Sequence, residues 1–155
     1  MALAGLSTLG VKFGYGSGAT KPTAFTELTR INSIPGLALS PESIDASALT
    51  DEITRRIAGR SDTDETLGIV VNWTPATLTE WEGVLSAYEA LTGEAEMWFT
   101  VYHPSMTKGW FFKAQPPKKL PMPEFGQNSL LTVEIPLVVT EYVGMDTAVE
   151  PTART

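Results

Sequence analysis

Much of the chain alternates between apolar and polar residues with the period of two that is typical of β-strands. Residues 25–34 place two differently composed sets of side chains on alternate positions, and Val11, Phe13 and Tyr15 alternate with smaller or charged residues in the stretch 9–15. Pro35 and Gly36 end one of these stretches, and a glycine-rich segment ends the other. The pattern predicts a strand in each stretch.

Three further strands are predicted in the second half of the chain. Glu96–Tyr102 and residues 110–115 are rich in aromatic side chains and are separated by a short polar segment, which indicates a hairpin. Residues 129–143 form the longest strand-like stretch, in which Pro136 marks a bulge or an edge. The proline-rich segment 116–123 is predicted to be an extended connector.

One stretch has the period of an α-helix, and it is predicted to span residues 77–92. Thr77 and Glu80 have the spacing of a capping box at its start, and Gly93 is a candidate left-handed cap at its end. The helix is expected to flank the sheet, with Trp81, Leu85 and Tyr88 as anchors. The predicted apolar stripe consists of Leu78, Trp81, Leu85, Tyr88 and Leu91.

Residues 44–73 are predicted to form a hairpin with a charged tip. Its two predicted strands are residues 53–57 and 67–73, and the turn between them comprises residues 59–64. Acidic and basic residues are concentrated there, so this hairpin is not expected to be buried within its own subunit.

These elements sum to five to seven strands and one helix. The fold class is therefore mainly β or α+β, a sandwich or a barrel-like sheet with one flanking helix. We divide the chain into a flexible N-terminal arm at residues 1–8, one domain at 9–143 and a flexible C-terminal tail at 144–155.

Charge and composition exclude several kinds of protein. The net charge is −7 and the chain has no cysteine. An acidic surface repels nucleic acid, whereas its binding depends on cations that neutralise phosphates. Without cysteine there are no disulfides, thiolate metal ligands or thiol nucleophiles. The sequence shows neither a signal-peptide pattern nor an apolar stretch that spans a membrane, so we expect a soluble protein that is not exported.

No residue pattern in this chain indicates catalysis, a cofactor or a bound metal. His103 is the only histidine, which leaves little basis for a transition-metal site or a Ser-His-Asp triad. The acidic residues 62–66 resemble the start of a calcium loop, but Leu67 stands where the loop needs glycine. The spacing of Gly14, Gly16 and Gly18 does not match a nucleotide-binding loop. We therefore predict no enzyme.

The distribution of charge leaves two interpretations open. Residues 80–96 contain five acids and no base, whereas Lys108, Lys113, Lys118 and Lys119 follow in the next segment. This is either an ordinary solvated surface or a self-complementary one, whose acidic side meets the basic side of a neighbouring subunit.

Three short motifs lie in and beside the charged hairpin. They are residues 32–37 (NSIPGL), 40–49 (SPESIDASAL) and 55–62 (RRIAGRSD). An Ile-Asp-small-Ser stretch at 44–47, followed by a Gly-x-x-Asp turn at 59–62, resembles the major tail tube proteins of long, non-contractile-tailed bacteriophages. The order that follows is also similar: hairpin, one helix, aromatic strands and a long Val-rich strand. The resemblance covers roughly residues 9–143, the whole of the predicted domain.

The resemblance implies a barrel-like tail tube fold, assembled as hexameric rings that stack into the conduit for DNA ejection. Its partners would be copies of itself, the tape measure protein and other tail proteins, with DNA passing through the lumen without specific binding. It implies a virion protein made in the host bacterial cytoplasm, with no membrane partner. The acidic charge fits such a conduit, since like charges do not adhere.

The charged hairpin gives a set of candidate interface residues, and several alternative functions stay open beside the tail tube. The charged hairpin is too polar for its own core, so we hypothesise that its residues contact neighbouring subunits or rings. The nearer alternative is a tail terminator or head–tail joining ring protein. A carbohydrate-binding sandwich with Trp98, Trp110 and Tyr102 as a stacking platform, and an enzyme with titratable groups that converge in a pocket, are the others. The hypothetical interface residues are Ile53, Arg55, Arg56, Ile57, Arg60, Asp62 and Asp64.

Overall fold

The structure is mostly β, with nine strands and one helix in the part of the chain that it describes. A computed structural model describes residues 5–45, 48, 56–63 and 66–153. The elements in chain order are β1 (Lys12–Gly18), β2 (Thr26–Leu28), β3 (Ile31–Ser33), β4 (Leu39–Asp45), β5 (Arg56–Thr63), β6 (Thr66–Asn72), α1 (Pro75–Glu89), β7 (Glu96–Tyr102), β8 (Lys108–Gln115) and β9 (Thr132–Thr147).

Seven of the strands form one sheet that nearly closes into a barrel. Their order is β2-β1-β7-β8-β9-β6-β3, and the paired neighbours are antiparallel. The two edge strands, β2 and β3, are joined by only Thr29 and Arg30, so the ends of the sheet must lie close together. Arg30 has a φ of 57°, the left-handed conformation that turns the chain there, and its carbonyl accepts from the Asn72 amide at 2.9 Å.

The core fills the concave side of this sheet. Along β6, Leu67, Ile69 and Val71 are buried at alternate positions, which is the period that the pleat imposes. β9 repeats the pattern, and β7 and β8 add their aromatic side chains, as the sequence predicts. The members from β9 are Val133, Ile135, Leu137 and Val139.

The helix begins and ends earlier than the predicted range of 77–92. It spans Pro75–Glu89, and Thr74 rather than Thr77 is the N-cap. The Thr74 hydroxyl accepts from the Thr77 amide, and the Thr77 hydroxyl accepts from the Thr74 amide at 2.7 Å. This reciprocal pair is a capping box made of two threonines, with proline at the first helical position.

The shift changes which side of the helix is buried. Thr77, Trp81 and Val84 are buried, while Leu85 and Tyr88 are only partly buried. Trp81 therefore occupies the predicted anchor position, Tyr88 packs at the margin of the core, and Val84 takes the central place expected of Leu85. The helix ends at the Ala90 cap, and Gly93, with a φ of 65°, lies in the following turn.

Glu80 has a tertiary role in place of the predicted capping role. Its carboxylate accepts from the Thr29 amide at 3.0 Å and from the Thr29 hydroxyl at 2.8 Å, which holds the β2–β3 link against the helix. We expect Glu80→Ala to lower the free energy of unfolding by about 1.5–3 kcal/mol, the usual contribution of hydrogen bonds to a charged group. Urea denaturation measures the loss, and the exposed Glu82→Ala is the control, with a change within about 0.5 kcal/mol. Equal losses from the two variants would contradict this role.

The predicted hairpin over residues 44–73 is wrong in its pairing. β5 pairs with β4 in a separate two-stranded sheet, whereas β6 belongs to the main sheet between β9 and β3. Of the residues predicted as the turn, 59–64, residues 59–63 lie within β5, and residue 64 lies outside the described residues. Backbone pairing does not depend on apolar side chains, so a polar strand with glycine forms when a partner strand is available.

The last strand begins three residues later and ends four residues later than the predicted 129–143, and it pairs with two strands in succession. Its first part, residues 132–138, pairs with β6, and its second part, residues 138–147, pairs with β8. Pro136 lies opposite Gly68 of β6 in the first part. β8 does not pair with this part of β9, so on that side the amide that proline lacks leaves no hydrogen bond of the sheet unmade. The predicted domain boundary at Val143 thus falls inside β9, and the chain remains paired with the sheet beyond it.

Candidate assembly surfaces

The two-stranded sheet of β4 and β5, which we call the arm, is the first candidate surface. Within the described residues its strands pair only with each other. An isolated two-stranded sheet is marginally stable in water, so an arm of this kind gains stability from another surface. Residues 34–38 lead into the arm from β3, and it returns directly into β6.

The residues predicted to make subunit contacts are placed on this arm or beside it. Arg56, Ile57, Arg60 and Asp62 all lie in β5, with Arg56 opposite Asp45 in the ladder. Ile53, Arg55 and Asp64 lie outside the described residues. The structure therefore brings four of the seven onto one strand, and their role in subunit contact remains a hypothesis.

Exposed apolar side chains define a second candidate surface. Two groups stand out, one along β9 and one in the connector between β8 and β9. Phe125 in the connector is 71% exposed and Met122 is 85% exposed, values unusual for side chains of this size. The members are Val138, Val143 and Met145 on β9, and Met122, Phe125 and Leu130 in the connector.

An ion-pair cluster on the sheet answers part of the charge question raised by the sequence. Lys113 Nζ lies 2.8 Å from a Glu96 oxygen, 3.0 Å from a Glu141 oxygen and 4.9 Å from the centre of the Trp98 ring. The hydrogen bond with Glu96, followed by that with Glu141, raises the pKa of Lys113. One base of the basic segment is therefore paired with an acid of the acidic segment in the same subunit, rather than in a neighbour.

Lys113 is expected to stabilise the fold in a pH-dependent way. Its side chain is only 16% exposed, so Lys113→Met should lower the free energy of unfolding by about 1–2 kcal/mol at neutral pH. Because the folded pKa lies above the ordinary value of 10.5, this contribution is complete below pH 10.5 and disappears as the pH rises through the folded pKa. Denaturation of both proteins from pH 7 to 11 tests this. A difference that stays constant to pH 11 would contradict it, and Lys118→Met, at an exposed site, is the control.

The three aromatic residues proposed as a carbohydrate platform do not form one. Trp98 is only 5% exposed and packs with Phe25 and Phe111 beneath Lys113, so its ring cannot stack on a sugar. Its indole nitrogen donates to the Gly18 carbonyl at 3.2 Å. Trp110 instead lines a groove at the mouth of the barrel. The carbohydrate-binding interpretation loses its central residue.

That groove has a volume of about 890 Å³ and mainly apolar walls from β1, β3, β8 and the segment after β3. His103 is one of its lining residues, and both ring nitrogens are occupied. Nδ1 accepts from the Ser105 amide at 3.1 Å, so Nε2 carries the proton and donates to the Ser7 carbonyl at 2.6 Å. His103 thus holds the N-terminal segment at Ser7 against the barrel.

The described residues contain no group of three or more histidine, cysteine or acidic side chains arranged to hold a metal ion. Among the same residues, no helix has the length and apolar character needed to cross a membrane.

Comparison with known proteins identifies relatives of the fold. No family model and no curated protein matches the chain. Among solved structures, it is similar to the sheath/tube terminator of an extracellular contractile injection system, PVC, in the extended state. The TM-score is 0.65 with 14% identity, over 95% of this chain and 100% of that one.

Two other structures share the fold at similarly low identity. The tube terminating cap of the anti-feeding prophage has a TM-score of 0.64 and 13% identity, over 96% of this chain and 95% of that one. A chain from the tail of an empty GTA particle, in a structure with C6 symmetry, has a TM-score of 0.55 and 10% identity, over 89% and 93%. At these identities the similarity shows a shared fold and nothing more.

Proposed function

We propose that this chain is a structural subunit of a phage-like tail and that it forms the ring that terminates the tube. The observation that carries the proposal is the end-to-end fold match with a sheath/tube terminator, which leaves no part of that protein unmatched. A second match is a tube terminating cap. The terminator alternative therefore has more support than the major tube protein of a non-contractile tail, which the sequence motifs favoured.

The surfaces on the subunit fit assembly into a ring. The arm is a two-stranded sheet whose outer edges are unpaired within the described residues. Unpaired strand edges pair readily with other chains. A ring joins two different patches of neighbouring copies, so an arm on one side and a receiving surface on the other are the parts that it needs. The exposed apolar residues of β9 and the connector are candidates for the receiving surface.

We propose six subunits in the ring, the symmetry of the GTA tail structure, one of whose chains shares this fold. Its partners would be other copies of itself and further tail proteins, the tape measure among them, and its place would be in the virion tail. A ring with a net charge of −7 per subunit would let DNA pass during ejection without binding it.

A stacked tube subunit is the second candidate. The observation in its favour is the fold match with the tail of the GTA particle, which was determined by helical refinement. Its TM-score of 0.55 is lower than the 0.65 and 0.64 for the terminator and the cap. The two candidates differ in whether rings stack on copies of themselves.

Electron microscopy of the purified protein at increasing concentration separates the candidates. We expect single rings of fixed height with six-fold symmetry. Long hollow tubes would favour the tube subunit instead. Monomers throughout the concentration range would contradict self-assembly in both forms.

The arm hypothesis predicts a specific assembly defect. Arg56→Glu/Asp62→Lys keeps the net charge but reverses two charges on β5, so we expect the concentration needed for ring formation to rise by roughly tenfold or more. The melting temperature should not change, because β5 lies outside the main sheet. Lys108→Glu/Glu82→Lys makes the same exchange at exposed sites outside the arm and the connector and is the matched control. Normal rings from the arm variant would exclude these residues from the interface.

A further inference from the structure

The C-terminal residues 148–152, which we call the strap, lie along the free edge of the main sheet. β2 pairs with β1 on one side, and Thr152 forms a parallel bridge with Thr26 on the other. The Thr152 amide donates to the Phe25 carbonyl at 3.0 Å, and the Glu27 amide donates to the Thr152 carbonyl at 2.8 Å. The strap thus satisfies two backbone groups of β2 that point away from the sheet.

The strap also covers an apolar patch on the convex side of the sheet. Pro151 is buried against Gly14, where an added Cβ would lie 2.8 Å from the Pro151 Cβ, so only glycine leaves room for it. Val149 packs against a cluster that is separate from the main core. That cluster consists of Phe25, Trp98 and Phe111.

Polar contacts at the surface hold the strap and the strand end that leads into it. Lys12 Nζ lies 2.8 Å from a Glu150 oxygen, and this hydrogen bond raises the pKa of Lys12. Lys21 pairs with Asp146 at 3.3 Å and donates to the Thr147 carbonyl at 2.8 Å. Exposed ion pairs of this kind are weak and are screened by salt, so the buried proline and the two backbone bonds are the main attachment.

The two groups that the strap satisfies are complementary to each other. In an antiparallel pair of β2 strands with a two-fold axis at Thr26, Glu27 of one copy lies opposite Phe25 of the other. The Glu27 amide then donates to the Phe25 carbonyl across the axis, twice by symmetry. The uncovered β2 edge is therefore a self-complementary docking site for a second copy of this chain, with the apolar cluster beside it.

We propose that the strap guards the β2 edge against this pairing. The two-fold pair would be closed, because both copies use the same patch, whereas a ring needs two different patches. Its consequence for the particle rests on the proposed function: subunits paired through β2 would be withdrawn from ring formation. The guarding role itself concerns one edge and one intramolecular contact, and it is independent of which tail position the protein takes.

The test displaces the strap from β2 in the otherwise unchanged chain, by a double substitution that we call the evicted variant. Pro151→Asp/Thr152→Pro places a charge in the site of the buried proline and removes the amide that donates to Phe25, while every strand residue stays unchanged. We expect the Glu27 amide to exchange with solvent at least about tenfold faster at low concentration. Sedimentation velocity should show a dimer whose fraction rises with concentration where the wild type shows none.

Two further variants make the result specific. Ala153→Asp adds the same charge at the next, exposed position and should behave as the wild type. Adding Glu27→Pro to the evicted variant removes the amide of β2 that points away from the sheet, so it should abolish the dimer. The amides of Thr26 and Leu28, which face β1, are kept, so β2 should stay paired with β1.

Three outcomes would overturn the proposal. They are an evicted variant that is folded and sediments as the wild type does, a dimer that persists with Glu27→Pro, and a Glu27 amide whose exchange does not change. Should the double substitution unfold the domain, Thr152→Pro alone decides by the same measurements. The presence or absence of rings in the wild type bears only on the proposed function, so the two hypotheses fail separately.

Discussion

Replacing Trp81 with alanine is expected to lower the free energy of unfolding by about 3–5 kcal/mol, the usual cost of removing a buried tryptophan. Its side chain is 0% exposed and is the largest in the core, where the helix meets the sheet. A domain of this size is stabilised by about 5–15 kcal/mol in total, so the variant should be close to unfolding at 37 °C. Chemical denaturation followed by circular dichroism measures the loss.

Trp81→Phe is the informative companion to the alanine variant. The Trp81 indole nitrogen is buried without a hydrogen-bond partner among the described residues. Phenylalanine removes this unsatisfied group along with part of the ring, and the relief offsets part of the packing loss. We expect a clearly smaller destabilisation than for alanine. Equal losses would show that the indole nitrogen has little effect on stability.

Phe99→Ala is expected to cost a similar amount, about 3–5 kcal/mol. The Phe99 ring stacks on Phe13 at 5.6 Å and on Phe112 at 5.5 Å, so one deletion removes two aromatic contacts across three adjacent strands. The same measurement applies, with Phe125→Ala as the control. That ring is 71% exposed, and its loss should change stability by no more than about 0.5 kcal/mol. A comparable loss from both variants would contradict the core assignment.

The strands of the main sheet could be predicted from the sequence because their burial has a simple period. Residues of β6 and β9 alternate between the core and solvent, and the apolar letters alternate with them. The aromatic hairpin of β7 and β8 is confirmed for the same reason: the adjacent Phe111 and Phe112 point to opposite faces of the sheet, Phe112 into the main core and Phe111 into the separate convex cluster.

The start of the helix was predicted wrongly because Thr74 and Thr77 are both suitable N-cap residues, and the structure uses Thr74. Thr77 and Glu80 have the letters of a capping box, but Glu80 is bound by Thr29, which lies 51 residues away. Thr74 and Thr77 then form the cap between themselves. Spacing alone does not distinguish a carboxylate used at a helix end from one used across the fold.

The arm and the strap were missed for a different reason. β5 contains Gly59, Arg60, Ser61 and Asp62, residues that favour turns, and its pairing with β4 leaves no apolar alternation in the letters. The strap attaches through one proline and two backbone bonds, which have no periodic signature. For the candidate site, the motifs predicted a tail protein and a contact role for this region, while the position along the tail depends on the whole fold.

The pairing of β9 with two strands has a consequence for how the chain folds. Without β9, β2, β1, β7 and β8 form one sheet, and β6 and β3 form another, so the two parts are joined by β9, which follows the other described strands in the chain. The barrel can therefore close only after β9 has been synthesised, and the contacts that close it are distant in sequence. Until then the concave faces of both partial sheets stay open to solvent, which makes the nascent chain a natural client for chaperones that shield apolar surface.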